Sequence, residues 1–282
     1  MRTARTIKRN GVELATEAFG EPSDTPVLLI MGAMASMLWW ADGFCEQLAA
    51  RGRYVIRYDN RDTGLSTKYE PGSPSYLIDD MADDAMAVLD AYDRSSVHLV
   101  GMSLGGAIAQ IAALKYPERI ISLTVMSTWP VGMDTSHLPG MSEAYLEHAA
   151  QGETVDWSDK QQAVDFVVKD MRAIAGTRHP HDGHKARAFV QADADRSSGY
   201  LSATNHFMLK ASDAWNGRTS KIAPPLLVMH GTADPLVPVD HGEALAGAVV
   251  GSHLVRIDGG GHEIHEMDWP QYLDEIARQT DR

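Results

Sequence analysis

A chain of 282 residues with 44% hydrophobic and 22% charged side chains can bury a sizeable core, and its composition excludes the disordered and fibrous classes. Its formal net charge of −13 is spread along the sequence, which argues against nucleic acid, itself a polyanion, as a partner. The single cysteine, Cys45, excludes an internal disulfide and a thiolate zinc cluster and fits a reducing, cytoplasmic setting.

Taken in chain order, Arg2, Arg5, Lys8 and Arg9 are followed by no apolar run, so no secretory signal is expected. Asn10-Gly11 between Thr6-Ile7 and Val12-Glu13-Leu14 predicts a two-residue hairpin, because both turn positions tolerate positive φ. Short apolar runs then read as buried strands: Val27 to Met31, Tyr54 to Asp59, Val97 to Met102, Ile121 to Ser127, Leu226 to His230 and His253 to Ile257. The uncharged stretch from Val27 to Ala41 is shorter than the ~20 residues of a spanning helix and is broken at Gly32, so no membrane segment is expected. Between most strands the apolar spacing changes to three and four, as in Met81, Ala85, Val88, Leu89 and Tyr92 or in Ile108, Ile111, Ala112 and Leu114. Strands alternating with helices predict a mostly parallel sheet covered on both faces. The alternation fails from Pro130 to Thr219, which predicts a helical insertion (a cap, residues 130–219) between two parts of one core, residues 1–129 and 220–282. Pro224-Pro225 marks the return to the sheet.

Val97-His98-Leu99-Val100 runs into Gly101-Met102-Ser103-Leu104-Gly105 and then into the helical Gly106-Ala107-Ile108-Ala109-Gln110. This is G-x-S-x-G in strand–turn–helix context, a tight turn that lifts a serine hydroxyl above the sheet and aims a helix N-terminus at the same place. A hydroxyl needs a base to take its proton, and that base needs a carboxylate to orient it. Asp234 follows the strand Leu226 to His230, and His262 follows the glycine run Gly259-Gly260-Gly261, whose freedom is expected to bring the imidazole over the sheet edge. Asp240 and Asp258 are rivals to Asp234, and His265 and His230 to His262. The oxyanion of an acyl-transfer intermediate needs two backbone N–H groups, assigned to Leu104 and to Ala33 in the loop Met31-Gly32-Ala33-Met34.

Met31-Gly32-Ala33, the run from Arg57 through Asp59-Asn60-Arg61-Asp62-Thr63-Gly64 to Ser66, and Gly101-Met102-Ser103-Leu104-Gly105-Gly106 together resemble the aclacinomycin methylesterase group of the α/β-hydrolase superfamily. Many relatives carry His-Gly in place of Met31-Gly32 and Gly in place of Asp62. The resemblance implies an α/β-hydrolase fold with a helical cap, a Ser103–His262–Asp234 triad and hydrolysis of a carboxylic ester through an acyl-enzyme, with no cofactor and no metal. Its implied partner is a small-molecule ester, with the protein acting as a monomer or homodimer.

A serine at the elbow argues against dehalogenase and epoxide hydrolase chemistry, which uses aspartate there. Lactone, thioester and carbon–carbon bond hydrolysis and perhydrolysis use the same triad and remain alternatives, as does a ligand-binding receptor on the same scaffold. Met31, Met34, Met37, Trp39 and Trp40 are candidates for an apolar pocket or for core. Trp157, Phe189, Phe207 and Trp215 suit a bulky polycyclic or macrocyclic substrate. His179-Pro180-His181-Asp182-Gly183-His184 looks like a metal tract, but with no second ligand cluster it is read as a solvated loop.

Overall fold

The computed structural model describes residues 2–281. Two strands, β1 (Arg2–Arg9) and β2 (Val12–Phe19), form the opening hairpin, with Arg9 opposite Val12 and the two turn residues Asn10 and Gly11 at φ 50° and 82°. There follow β3 (Thr25–Ile30), α1 (Asp42–Ala49), β4 (Arg53–Tyr58), α2 (Ile78–Ala91), β5 (Val97–Met102), α3 (Leu104–Lys115) and β6 (Ile120–Met126). Between β6 and the next strand, the described residues form three α-helices, α4 (Glu143–Ala150), α5 (Lys160–Ala173) and α6 (Gly183–Ser197), with 3-10 turns and no strand. The chain closes with β7 (Leu226–Gly231), α7 (Val239–Ala248), β8 (His253–Ile257) and α8 (Trp269–Thr280).

The eight strands make one sheet in the order β1-β2-β4-β3-β5-β6-β7-β8, antiparallel at β1, β2 and β4 and parallel from β4 to β8. Period-two alternation divides each inner strand between two cores. Leu28, Ile30, Leu99, Val125 and Val228 face α2, α3 and α7, while Val27, Leu29, Val100, Met126 and Met229 face α1 and α8. Both faces are covered, so the strands read as continuous apolar runs and carry no polar-out alternation. Helix α8 shows the complementary pattern: Tyr272, Leu273 and Ile276 are buried, and Asp274 and Arg278 are exposed. Cys45 lies fully inside the second core, where burial pushes its thiol up to about 12 and leaves it unreactive.

The helices between β6 and β7 start at residues that satisfy free amides. Ser142 accepts from Tyr145 N, Asp159 from Gln161 N and Gln162 N, and Asp182 from His184 N and Lys185 N. The tract expected as a solvated loop is therefore partly the start of α6, and His179 instead donates Nε2–H to buried Asp268 at 2.8 Å and stacks on His265. A small third core, Ala163, Val164, Val167, Val190, Ala194 and Tyr200, holds α5 against α6. Trp39 packs edge-on against Phe189 and ties these helices to the loop after β3.

Candidate active site

Ser103 sits where β5 becomes α3, at φ 53° and ψ −120°, a conformation that L-residues avoid. Surrounding bonds hold it there: Ser103 N donates to Met126 O at 2.9 Å, and Thr128 Oγ1 donates to Ser103 O at 2.8 Å. The flanking glycines are required by contact. A Cβ on Gly101 would lie 2.2 Å from the Gly105 carbonyl oxygen, and one on Gly105 would lie 2.1 Å from that of Ile30. Ser103 Oγ makes no hydrogen bond among the described residues and opens onto a cavity.

Asp234 lies in the loop after β7. Its Oδ1 accepts from Leu236 N at 2.9 Å and Val237 N at 2.8 Å, and its Oδ2 accepts His262 Nδ1–H at 2.8 Å. Burial alone raises this carboxyl's pKa, but the His262 imidazole with its hydrogen bond and the His230 ring nearby outweigh it and hold the group well below the usual carboxylate range. A proton on Nδ1 leaves the Nε2 lone pair of His262 as the free acceptor, and His262 lines the same cavity as Ser103. The rivals are otherwise occupied or out of reach. Asp258 is an exposed turn residue, Asp240 starts α7, His265 caps a 3-10 turn, and fully buried His230 donates Nε2–H to Val237 O.

The glycine run before His262 has a different physical role from the mobile approach expected. Only Gly259 has positive φ, 66°. A Cβ on Gly261 would fall 2.3 Å from Gly176 N and Ile174 O, and one on Gly231 would fall 2.3 Å from Gly260 O. These glycines allow backbone-to-backbone packing, which also lets His262 N donate to Ile174 O and Thr177 N to Gly259 O, both at 2.8 Å. The histidine loop is thus clamped by the segment joining α5 to α6.

Gly32 passes beside the serine, since a Cβ on it would be 3.1 Å from Ser103 Cβ. The amides of Ala33 and Leu104 donate to no protein group among the described residues. Leu104 is the first residue of α3, where an amide has no intrahelical acceptor. Both residues therefore leave N–H groups without a protein acceptor, Leu104 next to Ser103 in the chain and Ala33 next to Gly32, which passes beside it.

The cavity, about 650 Å³, lies between the sheet and the helices of 130–219. Met31, Met34 and Trp39 line it, whereas Met37 and Trp40 are buried in the core, 2% and 1% exposed. Trp157, Phe189 and Phe207 line it from the opposite side, but Trp215 does not: it packs on the α2 and α3 core and donates Nε1–H to Asp79 Oδ1.

Three carboxylates have partners that the sequence does not show. Asp170 on α5 lines the cavity, accepting from His148 Nε2 at 3.0 Å and Tyr145 OH at 3.2 Å; burial raises its carboxyl, partly offset by His148. Asp193 on α6 accepts from Ser36 Oγ at 2.5 Å and from Trp39 Nε1 and Tyr200 OH at 3.1 Å. Asp59, at the end of β4, accepts from Met37 N and Leu65 N and pairs with Arg196 of α6 at 2.8 Å. Two carboxylates thereby fasten α6 to the loop that carries Ala33. Asp62 has φ 68°, and its carboxylate accepts from Tyr69 N and Tyr76 OH, both at 2.6 Å. Those local bonds let an aspartate take a left-handed position otherwise suited to glycine.

Comparison with known proteins agrees with this geometry. Residues 25–268 match the family model described as the alpha/beta hydrolase fold. Rhodomycin D methylesterase DauP of Streptomyces sp. (strain C5) is 34% identical over 275 residues, covering 92% of each chain, and DnrP of Streptomyces peucetius is 32% identical with the same coverage. Among solved structures, the esterase RhEst1 from Rhodococcus sp. ECU1013 superposes with a TM-score of 0.79 at 20% identity, covering 99% of this chain and 98% of that one. The enol-lactonase from Burkholderia xenovorans LB400 gives 0.76 at 19%, covering 99% and 100%; at such identities the likeness concerns the fold alone. On its sheet order, its serine elbow and these matches, the chain belongs to the alpha/beta hydrolase family and falls among that family's methylesterase-like members.

Proposed function

We propose that the protein hydrolyses a carboxylic ester by acyl transfer through Ser103, His262 and Asp234. The observation that carries this reading is the Asp234–His262 hydrogen bond, which presents a free Nε2 lone pair to the cavity onto which Ser103 Oγ opens. In unliganded sites the nucleophile–base contact is often long and closes when substrate fills the site. His262 Nε2 takes the Ser103 proton as Oγ bonds to the carbonyl carbon, and the carbonyl π electrons move to oxygen, where the amides of Ala33 and Leu104 hold the oxyanion. As the oxyanion collapses, the ester C–O bond breaks and the imidazolium gives its proton to the departing alkoxide, releasing an alcohol. Water, deprotonated by the same nitrogen, then attacks the acyl-enzyme, and Ser103 regains its proton as the acid leaves. Asp234 remains ionised throughout and stabilises the imidazolium.

The cavity's size and its aromatic and thioether lining favour a bulky, largely apolar substrate, with residues 130–219 acting as its cap. The kinship with two rhodomycin D methylesterases points to a methyl ester carried on such a scaffold. The test is labelling by a fluorophosphonate together with turnover of a panel of methyl esters graded in size. Ser103→Ala is expected to abolish both. Labelling that persists in this variant, or a preference for short soluble esters over large polycyclic ones, contradicts the corresponding part of the reading.

A further inference from the structure

We infer that His206, in the 3-10 turn Ser202–Met208 between β6 and β7, is a positioning residue for the oxyanion hole, acting through the backbone amide of Met34. This rests on the proposed role of the Ala33 amide. His206 is 4% exposed and far from the triad in sequence. Its Nδ1 accepts from Met34 N at 3.0 Å and its Nε2 donates to Arg61 O at 2.7 Å, so both ring nitrogens are committed to backbone groups and the neutral tautomer is fixed.

The backbone of the loop is held on either side of Ala33. At one end Asn60 Nδ2 donates to Met31 O at 3.0 Å and fixes the peptide between residues 31 and 32. At the other, His206 fixes the peptide between 33 and 34, with Met34 at φ 62°, a conformation that costs energy for a non-glycine residue and persists only when its surroundings impose it. The peptide between these two anchors carries the free Ala33 N–H, and only the two dihedrals of Ala33 separate it from the plane that His206 holds. An oxyanion donor is effective only when fixed in advance at the position where the charge develops, so releasing the Met34 amide lets the Ala33 N–H rotate away.

The turn bearing His206 is itself anchored. Ser202 Oγ donates to Asp62 O at 3.0 Å, and Asn205 Nδ2 donates to Asp62 Oδ2 at 3.1 Å. The imidazole is thus set by the 61–72 loop and passes that setting to Met34. Burial pushes the pKa of His206 down, against a smaller raising effect from its bond to Arg61 O and from Asp62, which keeps Nδ1 an acceptor at neutral pH.

Two substitutions separate the ring's two bonds. In His206→Asn the side-chain oxygen occupies the place of Nδ1 and keeps the Met34 contact; in His206→Gln the amide nitrogen reaches the place of Nε2 and keeps only the Arg61 contact. The readouts are kcat and KM on an ester the wild type turns over, Ki for an aryl trifluoromethyl ketone whose serine adduct carries the oxyanion, and the thermal midpoint. His206→Gln is expected to lose about 10- to 100-fold in kcat with little change in KM and to weaken the ketone by a similar factor, below the ~10²–10³ that complete loss of an oxyanion donor costs. His206→Asn is expected to stay near wild type on both. A folded His206→Gln with wild-type kcat and ketone affinity overturns the inference, as does an equal loss in both variants. Should His206→Gln not fold, a folded His206→Asn that has lost kcat 10-fold or more likewise overturns it. A wild type with no ester turnover sinks the underlying catalytic reading instead, whereas turnover with an indifferent His206→Gln sinks this inference alone.

Discussion

Replacing Asp234 with Asn changes one atom in the triad, and the surrounding bonds dictate how the new amide must point. The Oδ1 position accepts two backbone amides, Leu236 N and Val237 N, so the Asn oxygen is required there and its NH2 group takes the Oδ2 position. That NH2 group then faces His262 Nδ1, now 2.8 Å from a carboxylate oxygen, and two donors cannot share the contact. The imidazole therefore shifts its proton to Nε2, the nitrogen that must accept from Ser103. His230 gives no escape, because its Nε2–H is engaged by Val237 O. The wrong tautomer costs about 10⁴ in kcat in Ser-His-Asp sites, or about 5 kcal/mol at 1.36 kcal/mol per decade. Asp234 does not line the cavity, so KM is expected to change little. Steady-state hydrolysis of an activated ester near pH 7.5, with the thermal midpoint as a control for folding, measures both parameters. A folded Asp234→Asn enzyme that keeps more than about a tenth of wild-type kcat refutes the tautomer reasoning.

Further outcomes follow from groups around the site. Arg196→Ala leaves the fully buried Asp59 carboxylate with only the amides of Met37 and Leu65, and is expected to cost about 3 kcal/mol in urea denaturation, at the low end for breaking a buried pair. Gly105→Ala drives a methyl group into the Ile30 carbonyl, 2.1 Å away, and should destabilise by about 3 kcal/mol or more, seen as loss of soluble protein or a sharply lowered thermal midpoint. His98, buried on β5 with Nδ1 bonded to Ser122 Oγ, has its pKa lowered by burial, with a contribution from Arg53, to about 4 from 6.5. Between those values the unfolded chain binds a proton that the folded one does not, so stability should fall by up to about 3 kcal/mol as pH drops from above 6.5 to about 4. Comparing urea midpoints at the two ends of that window tests this, and His98→Gln should flatten the slope.

The parts legible in the sequence are those whose physical cause is local. Asn10-Gly11 announced the hairpin through two positive-φ positions, and the apolar run at 97–102 ending in Gly101-Met102-Ser103-Leu104-Gly105 announced a strand, a tight turn and a helix. Asp234 and His262 were legible because each lies in the loop after a strand end, where a parallel sheet gathers its loops. The role of Gly259-Gly260-Gly261 is not legible in the sequence, because a glycine that permits motion and one that permits close packing look alike until the neighbouring backbone, here that of Ile174 and Gly176, is in place. Trp215 and Trp157 are the same residue type in the same helical stretch, yet one joins the core and the other the cavity.

By itself, then, the sequence determined the strands, the turn that strains Ser103 and the chain order of Ser103, Asp234 and His262, since backbone preference and periodicity act over a few residues. Tertiary structure alone decided that Asp193 and Arg196 fasten α6 to the loop of Ala33, that Asp170 enters the cavity, and that His206 reaches Met34 across 172 positions of chain. Those partners are chosen by burial, which removes water as an alternative and makes each polar group depend on whichever distant segment packs against it.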